Sequence, residues 1–381
     1  MTQEHPTGPV HVPHPTYPPP GGSMPVGPDA RPGAYVGAHV ASEVDLAARA
    51  AHPHPEPREY HRMLRTWNYR WWRPVVGSLL VVVLSLVVAP IALLPVLAIG
   101  VWLEGGPFFA GLERAATLEE ITPAGLLYLN LVLGSLILVT WFVIRFIHGM
   151  RPRWLTSVVP KMRWRFLAAC LGVSVIALVA QVVVAILVGF VDASAETLPE
   201  PTVNPVTTTT LLLGLVVLLT TPFQAAGEEY VFRGYLLQAL GAFFRHKWVA
   251  ILATSLLFAL AHGAQNPPLF FDRFMFGVIA GWLVIRTGGL EAGIALHVLN
   301  NFLAFAFAIL LGDLGDSLGV AEVSWWNVPV TLTQAGVYAV LVLWLARRFD
   351  VQRTTRPPSA AHQAPASHDG DPVLEGRGAS V

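Results

Sequence analysis

Charge is what this 381-residue chain has least of: Asp, Glu, Lys and Arg make up 13% of it, against about 25% in soluble domains. The 24 basic and 24 acidic residues balance, so no net field draws the chain to nucleic acid, and no nucleic-acid partner is expected. A single cysteine, Cys170, excludes both an intrachain disulfide and a cysteine-based metal cluster. It lies in an apolar run and reads as packing. No leading signal segment is expected either. The first long apolar run begins near Val75, so that run is expected to be the first membrane anchor.

What fills the chain instead is hydrophobic: 54% of the residues, with a mean hydropathy of +0.56. This composition predicts an all-α fold, a polytopic integral membrane helical bundle with disordered termini. Eight membrane segments are expected, at about 75–103, 124–147, 166–190, 208–240, 248–263, 270–286, 290–312 and 328–346. The fifth and sixth are short and joined by the turn sequence GAQNPP, which forces a hairpin. Residues 1–70 are expected to form a disordered Pro- and His-rich cytoplasmic tail, 71–204 to carry the first three helices and 205–312 the membrane core. The last loop and eighth helix take 313–349, and 350–381 form a second disordered tail. Histidines 5, 11, 14, 39, 52 and 54 lack the regular spacing of a metal site and follow from composition.

Basic residues set the orientation. Arg58, Arg62, Arg65, Arg70 and Arg73 precede the first segment, and Arg151, Arg153, Lys161, Arg163 and Arg165 follow the second. Arg245 and Lys247, then Arg286, then Arg347, Arg348, Arg353 and Arg356 continue the series on alternate loops. The intervening loops carry Glu104, Glu113, Glu119 and Glu120 (against Arg114), then Asp192, Glu196 and Glu200, then Asp313, Asp316 and Glu322. The positive-inside rule therefore predicts a multi-pass protein of the cell membrane, bacterial in style, with both termini cytoplasmic.

Against this background one stretch stands out. Thr220–Leu240, TTPFQAAGEEYVFRGYLLQAL, buries Glu228, Glu229 and Arg233 in an otherwise apolar run. A charge at mid-membrane depth costs at least ~2.5–3.5 kcal/mol, so such groups face a protein interior and a function. Glu229 and Arg233 are spaced to pair on one helical face, and Glu228 points about 100° away, free of that pair. Counted at ~1.5 Å per residue from the cytoplasmic edge, Glu228 and His262 lie at similar depth, whereas His297 comes out roughly 5–10 Å shallower. Bringing it level requires a tilt or an irregular start to its helix. His297 and Asn301 share one face, Asn300 is rotated away, and Phe258 sits one turn below His262.

A carboxylate in an apolar pocket can act as a general base, an imidazole beside it can hold the same water, and a second imidazole with an amide can stabilise an oxyanion. That is equipment for hydrolysing a peptide bond. Blander readings stand beside it. A buried histidine more often satisfies a backbone carbonyl, a membrane asparagine can simply tie helices together, and the glutamate doublet also suits a non-proteolytic proton or ion relay or a scaffold. Two histidines and a glutamate are a known zinc set, although the spacing HExxH is absent. Asp272 and Arg273 read as an interfacial pair, and Gly277 with Gly281 as a close helix-packing step.

Three motifs carry a resemblance: EEYVFR at 228–233 fits EExxxR, FALAH at 258–262 fits FxxxH, and HVLNN at 297–301 fits HxxxN. In order and spacing this is similar to the CPBP family of intramembrane proteases, which includes CAAX prenyl endopeptidases and bacterial Abi and bacteriocin-immunity proteins. The stretch 277–297 also looks like that family's run between its second and third motifs, and the resemblance covers about residues 205–312. It implies a catalytic core in which Glu228 activates water, His262 holds it, His297 and Asn301 form the oxyanion site, and Glu229 and Arg233 support them. It implies no required cofactor; zinc, if used, would take Glu228, His262 and His297. The implied partners are the lipid bilayer and a membrane-embedded or lipid-anchored protein or peptide substrate.

Overall fold

The computed structural model describes residues 51–117, 122–190, 203–263, 265–311 and 323–356. The polar stretches 1–50 and 357–381, and most of the acidic loop residues named above, lie outside them. The fold is all-helical, and two isolated antiparallel bridges are the only extended pairing among the described residues. In chain order the helices are α1 (Trp72–Glu104), α2 (Phe108–Thr117), α3 (Pro123–Phe146), α4 (Trp164–Gly189) and α5 (Thr208–Phe243). They continue as α6 (Lys247–Leu260), α7 (Pro267–Thr287), α8 (Glu291–Leu311) and α9 (Asn327–Arg348).

Seven of these, all but α2 and α6, are long and apolar enough to cross a membrane. The expectation of eight full segments is thereby corrected at the fifth. With 14 residues, α6 rises about 21 Å, short of a ~30 Å hydrocarbon core. It still runs between the two ends of the bundle. Just before its start, Ala242 and Phe244 accept hydrogen bonds from Arg65 and Arg62. Just after its end, Asn266 donates to Val323 at 2.8 Å, in the segment leading into α9.

Local chemistry explains the irregular helices. In α1 a π turn spans Leu84–Val88, where the ring of Pro90 crowds the carbonyl four residues back at Leu86. In α5 a capping box on Thr207 and Thr210 starts the helix, Pro222 is absorbed without a break, and a π turn spans Tyr230–Leu236 directly after Glu229. Gly227 lets α5 press on α3: a Cβ there would lie 2.0 Å from the Leu133 carbonyl oxygen. Gly277 does the same for α7 on α6, where a Cβ would meet Ser255 at 2.8 Å, in line with the packing step read from sequence.

One end of the bundle is sealed, and the basic segments build the seal. Residues 51–70, expected to be disordered, are ordered: Tyr60, Met63 and Leu64 are buried in the main core with Trp154, Leu155 and Leu290. The short apolar pattern YHRML supplies enough burial to fix a segment whose flanks are polar. Residues 350–356, expected in the second tail, are fixed as well. Glu59 and Thr354 form an antiparallel bridge, the Thr355 amide donates to the Arg58 carbonyl, and the Arg58 amide donates to Thr355 Oγ1. The amides of Val158 and Leu290 bond across to Gly288 and Thr156, and Arg163 clasps the buried Glu291 at 2.6–2.8 Å. All five basic segments thus meet in one layer.

Two histidines in this layer carry a pH consequence. His54 binds the Met63 carbonyl at 2.6 Å and packs edge-on against Trp154; burial, aided by Arg58, pushes its pKa down to about 4. Burial, with Arg73 nearby, pushes His148 down to about 3. Unfolded histidine takes its proton near 6.5, so between that pH and about 4 the unfolded chain binds more protons and folding stability falls with pH. Each unit in that window removes about 1.4 kcal/mol per histidine. The unfolding midpoint in detergent is expected to drop between pH 7.5 and 5. A flat profile would show that neither ring is held neutral.

Candidate functional site

The polar cluster forms where α5, α6, α7 and α8 converge. Glu229 and Arg233, one turn apart, pair at 2.8 Å and are both fully buried. The Arg233 guanidinium also lies 4.0 Å from the ring centre of Phe258 on α6 and 5.3 Å from that of Phe276 on α7, so aromatic faces take the charge that the carboxylate leaves uncompensated. Close packing fixes Glu229 from the other side. Its second oxygen faces Gly293 on α8, where a Cβ would stand 2.5 Å away.

The same Glu229 oxygen that binds Arg233 lies 2.9 Å from His297 Nδ1. A carboxylate can only accept, so Nδ1 carries a proton, and the other ring nitrogen, Nε2, lies 3.9 Å from Glu228 Oε2. Glu228 in turn accepts from Gln224 Nε2, and Gln224 Oε1 accepts from Asn301 Nδ2 at 2.8 Å. The six residues from Arg233 to Asn301 therefore form one connected chain of polar contacts. Of the residues singled out from sequence, Glu228, Glu229, Arg233, His297 and Asn301 are all in it.

His262 stands apart from that chain. It follows the last turn of α6, is exposed, and donates Nδ1–H to the Phe258 carbonyl at 2.8 Å, which leaves Nε2 as its acceptor. It nonetheless lines the same cavity, of about 410 Å³, as Glu228, His297 and Asn301. Phe258 packs against both imidazoles, with ring centres 4.7 Å from His262 and 5.9 Å from His297. Among the described residues no three His, Cys, Asp or Glu side chains converge as a metal-ligand set, Glu228, His262 and His297 included.

The depth mismatch of His297 is resolved by the start of α8. Its first turn is sunk into the protein: Glu291 is fully buried beneath the 156–163 segment, held by Arg163. Counting from the membrane edge made His297 too shallow because the helix begins inside.

Several cavity residues were not legible as such. Gln224 is one turn before Glu228 and could have been found by the i,i+4 rule once Glu228 was chosen. Asn300, read as rotated away, also lines the cavity and accepts from Gln334 on α9 at 2.7 Å. Asp272 and Arg273, read as an interfacial pair at the start of α7, also line the cavity: Asp272 accepts from Thr331 and Asn327, and Arg273 donates to Gln265 at 2.8 Å. A larger apolar groove, about 1360 Å³, runs along Phe223, Ala226 and Tyr230 on α5 and Val298 on α8, and reaches Arg153 and Lys161 of the basic segment. It holds none of the site residues.

These features define the class: a polytopic helical membrane protein whose ionisable cluster faces an internal cavity. Residues 207–303 match the family model described as type II CAAX prenyl endopeptidase Rce1-like, a stretch that contains all three motifs. The resemblance carried by those motifs is borne out over that stretch. The chain is also 27% identical over 143 residues to the uncharacterized protein YyaK of Bacillus subtilis, a match covering 34% of this chain and 48% of that relative. The chain therefore spans about half the length of the curated relative it matches. No solved structure matches.

Proposed function

We propose that the protein is an intramembrane endopeptidase that hydrolyses a peptide bond of a membrane-associated protein or peptide. The observation that carries this reading is the polar chain Glu229–His297–Glu228–Gln224–Asn301 at the wall of one cavity. Glu228 takes a proton from water as the hydroxide adds to the scissile carbonyl carbon, and the carbonyl π electrons move onto oxygen. The resulting oxyanion accepts from the Asn301 amide, whose second N–H is left over after the bond to Gln224. Nδ1–H of His297 is engaged by Glu229, so its Nε2, on the Glu228 side, can donate to the oxyanion only as an imidazolium. Collapse of the intermediate breaks the C–N bond, and the Glu228 carboxyl returns its proton to the leaving nitrogen. His262 offers Nε2 as an acceptor for the same water.

Arg233 neutralises Glu229 and thereby fixes the His297 ring. This chemistry runs without a metal; a zinc-dependent version would have to gather Glu228, His262 and His297 on one ion. The clustering of every basic segment in one layer supports a cytoplasmic location for that layer and for both ends of the described chain.

The test is cleavage of a membrane-peptide library, lipidated and plain, by purified protein in liposomes, with and without a chelator. Cleavage that survives chelation supports the glutamate mechanism; loss restored by zinc would keep the protease and replace the mechanism. No cleavage of any substrate would sink the reading. Asn301→Ala is expected to lower kcat by about 10²–10³ with KM little changed. An unchanged kcat would remove Asn301 from the oxyanion site.

A further inference from the structure

The cavity runs from the middle of the bundle, at Glu228 and His297, away from the sealed layer. From Glu228 towards the basic layer the interior is filled: Tyr230, Val231, Tyr235 and Leu237 on α5 pack on Tyr60, Leu155 and Leu290, all buried. In the other direction the cavity continues. Its walls include Asp272 and Arg273 in the first two turns of α7 and Asn327 and Thr331 in the first two turns of α9. Both helices start from the face that carries the acidic loops. On α3 and α4 the lining residues Asn130 and Gln181 also lie in the half nearer that face, within eight residues of one end of each helix in both cases.

We propose that the site receives its substrate from the acidic-loop face, which the charge distribution makes extracytoplasmic, and that the substrate segment is an extended, polar peptide. This rests on the endopeptidase reading above. The outer walls carry amide, hydroxyl and charged groups: Asn300, Asn327, Thr331 and Gln334 with Asp272 and Arg273. Such a surface exchanges hydrogen bonds with a peptide main chain and disfavours an apolar lipid chain. From the cytoplasmic surface the site itself is floored by Tyr60, Trp154, Leu155 and Leu290, and the apolar groove that opens there along Arg153, Thr156 and Lys161 holds none of the site residues.

Sidedness can be measured without relying on activity. Cys170, the sole cysteine, is fully buried, so Cys170→Ala supplies a background free of thiols. On it, Asn327→Cys and Thr331→Cys probe the cavity, and Arg347→Cys, exposed in the basic layer, is the reference. In right-side-out vesicles of a bacterial host a membrane-impermeant maleimide is expected to label the two cavity cysteines and spare the reference. Inverted vesicles should give the reverse. Cavity cysteines that label together with Arg347→Cys, or that label from neither side, overturn the proposal.

A second arm adds a polar peptide cleaved by the purified enzyme to each vesicle type. Cleavage in right-side-out vesicles alone is expected, and cleavage in inverted vesicles alone would overturn the route while leaving the protease reading intact. If the purified enzyme cleaves nothing, the protease reading fails, and the labelling arm still decides from which side the cavity is reached.

Discussion

Replacing Glu228 by Gln is expected to abolish cleavage while leaving the fold in place. The substitution keeps shape and volume and removes only the ability to take a proton, so the water loses its base. General-base catalysis contributes about 10²–10⁴ in rate, and the same group also protonates the leaving nitrogen, so the loss should reach the upper end of that range. The contacts of Glu228 support a clean result. The oxygen of the new amide can still accept from Gln224 Nε2, which keeps the Asn301 bond to Gln224, and Glu229, not Glu228, holds Arg233 and His297 Nδ1. The measurement is kcat on a cleaved peptide beside the unfolding midpoint in detergent. Retention of more than about a tenth of wild-type kcat would exclude Glu228 as the base.

Arg233→Met should instead be destabilising, by about 3–5 kcal/mol, because it strands the fully buried Glu229 carboxylate with His297 as its remaining polar contact among the described residues. The lost contact with the Phe258 ring, 4.0 Å away, adds to the deficit. A neutral partner tests the cause: in Glu229→Gln with Arg233→Met the uncompensated charge is gone, and much of the stability should return. Unfolding by SDS titration of the wild type and these two variants decides between these accounts. If Arg233→Met unfolds where the wild type does, the pair is not what fixes this end of α5.

The central cluster was legible in the sequence because membrane helices make charge conspicuous and helix periodicity converts spacing into faces. The assignment of Glu229 to Arg233 and the freedom of Glu228 followed from that geometry, and the structure has both. What stayed hidden was whatever depends on how helices start and on which neighbours they meet. His297 looked too shallow because nothing in a linear count reveals that α8 begins beneath a loop. Asp272 and Arg273 were legible only as an interfacial pair, because nothing in the sequence brings Thr331, Asn327 and Gln265 to them. The segment around Tyr60 was lost among prolines and histidines, since two or three buried side chains give no periodic signal. The π turn after Glu229 has no sequence signature at all.

The bridge between Glu59 and Thr354 ties the first and last described segments together at the rim where the basic segments meet. Helices tied at one rim behave as a set of levers with a shared fulcrum. A helix pivoting there by about 5° carries its far end through about 3 Å over a ~30 Å hydrocarbon core, while its near end scarcely moves. The tie thus leaves the far ends of the helices freer to move than the floor that holds Glu291, Arg163 and Leu290 in place.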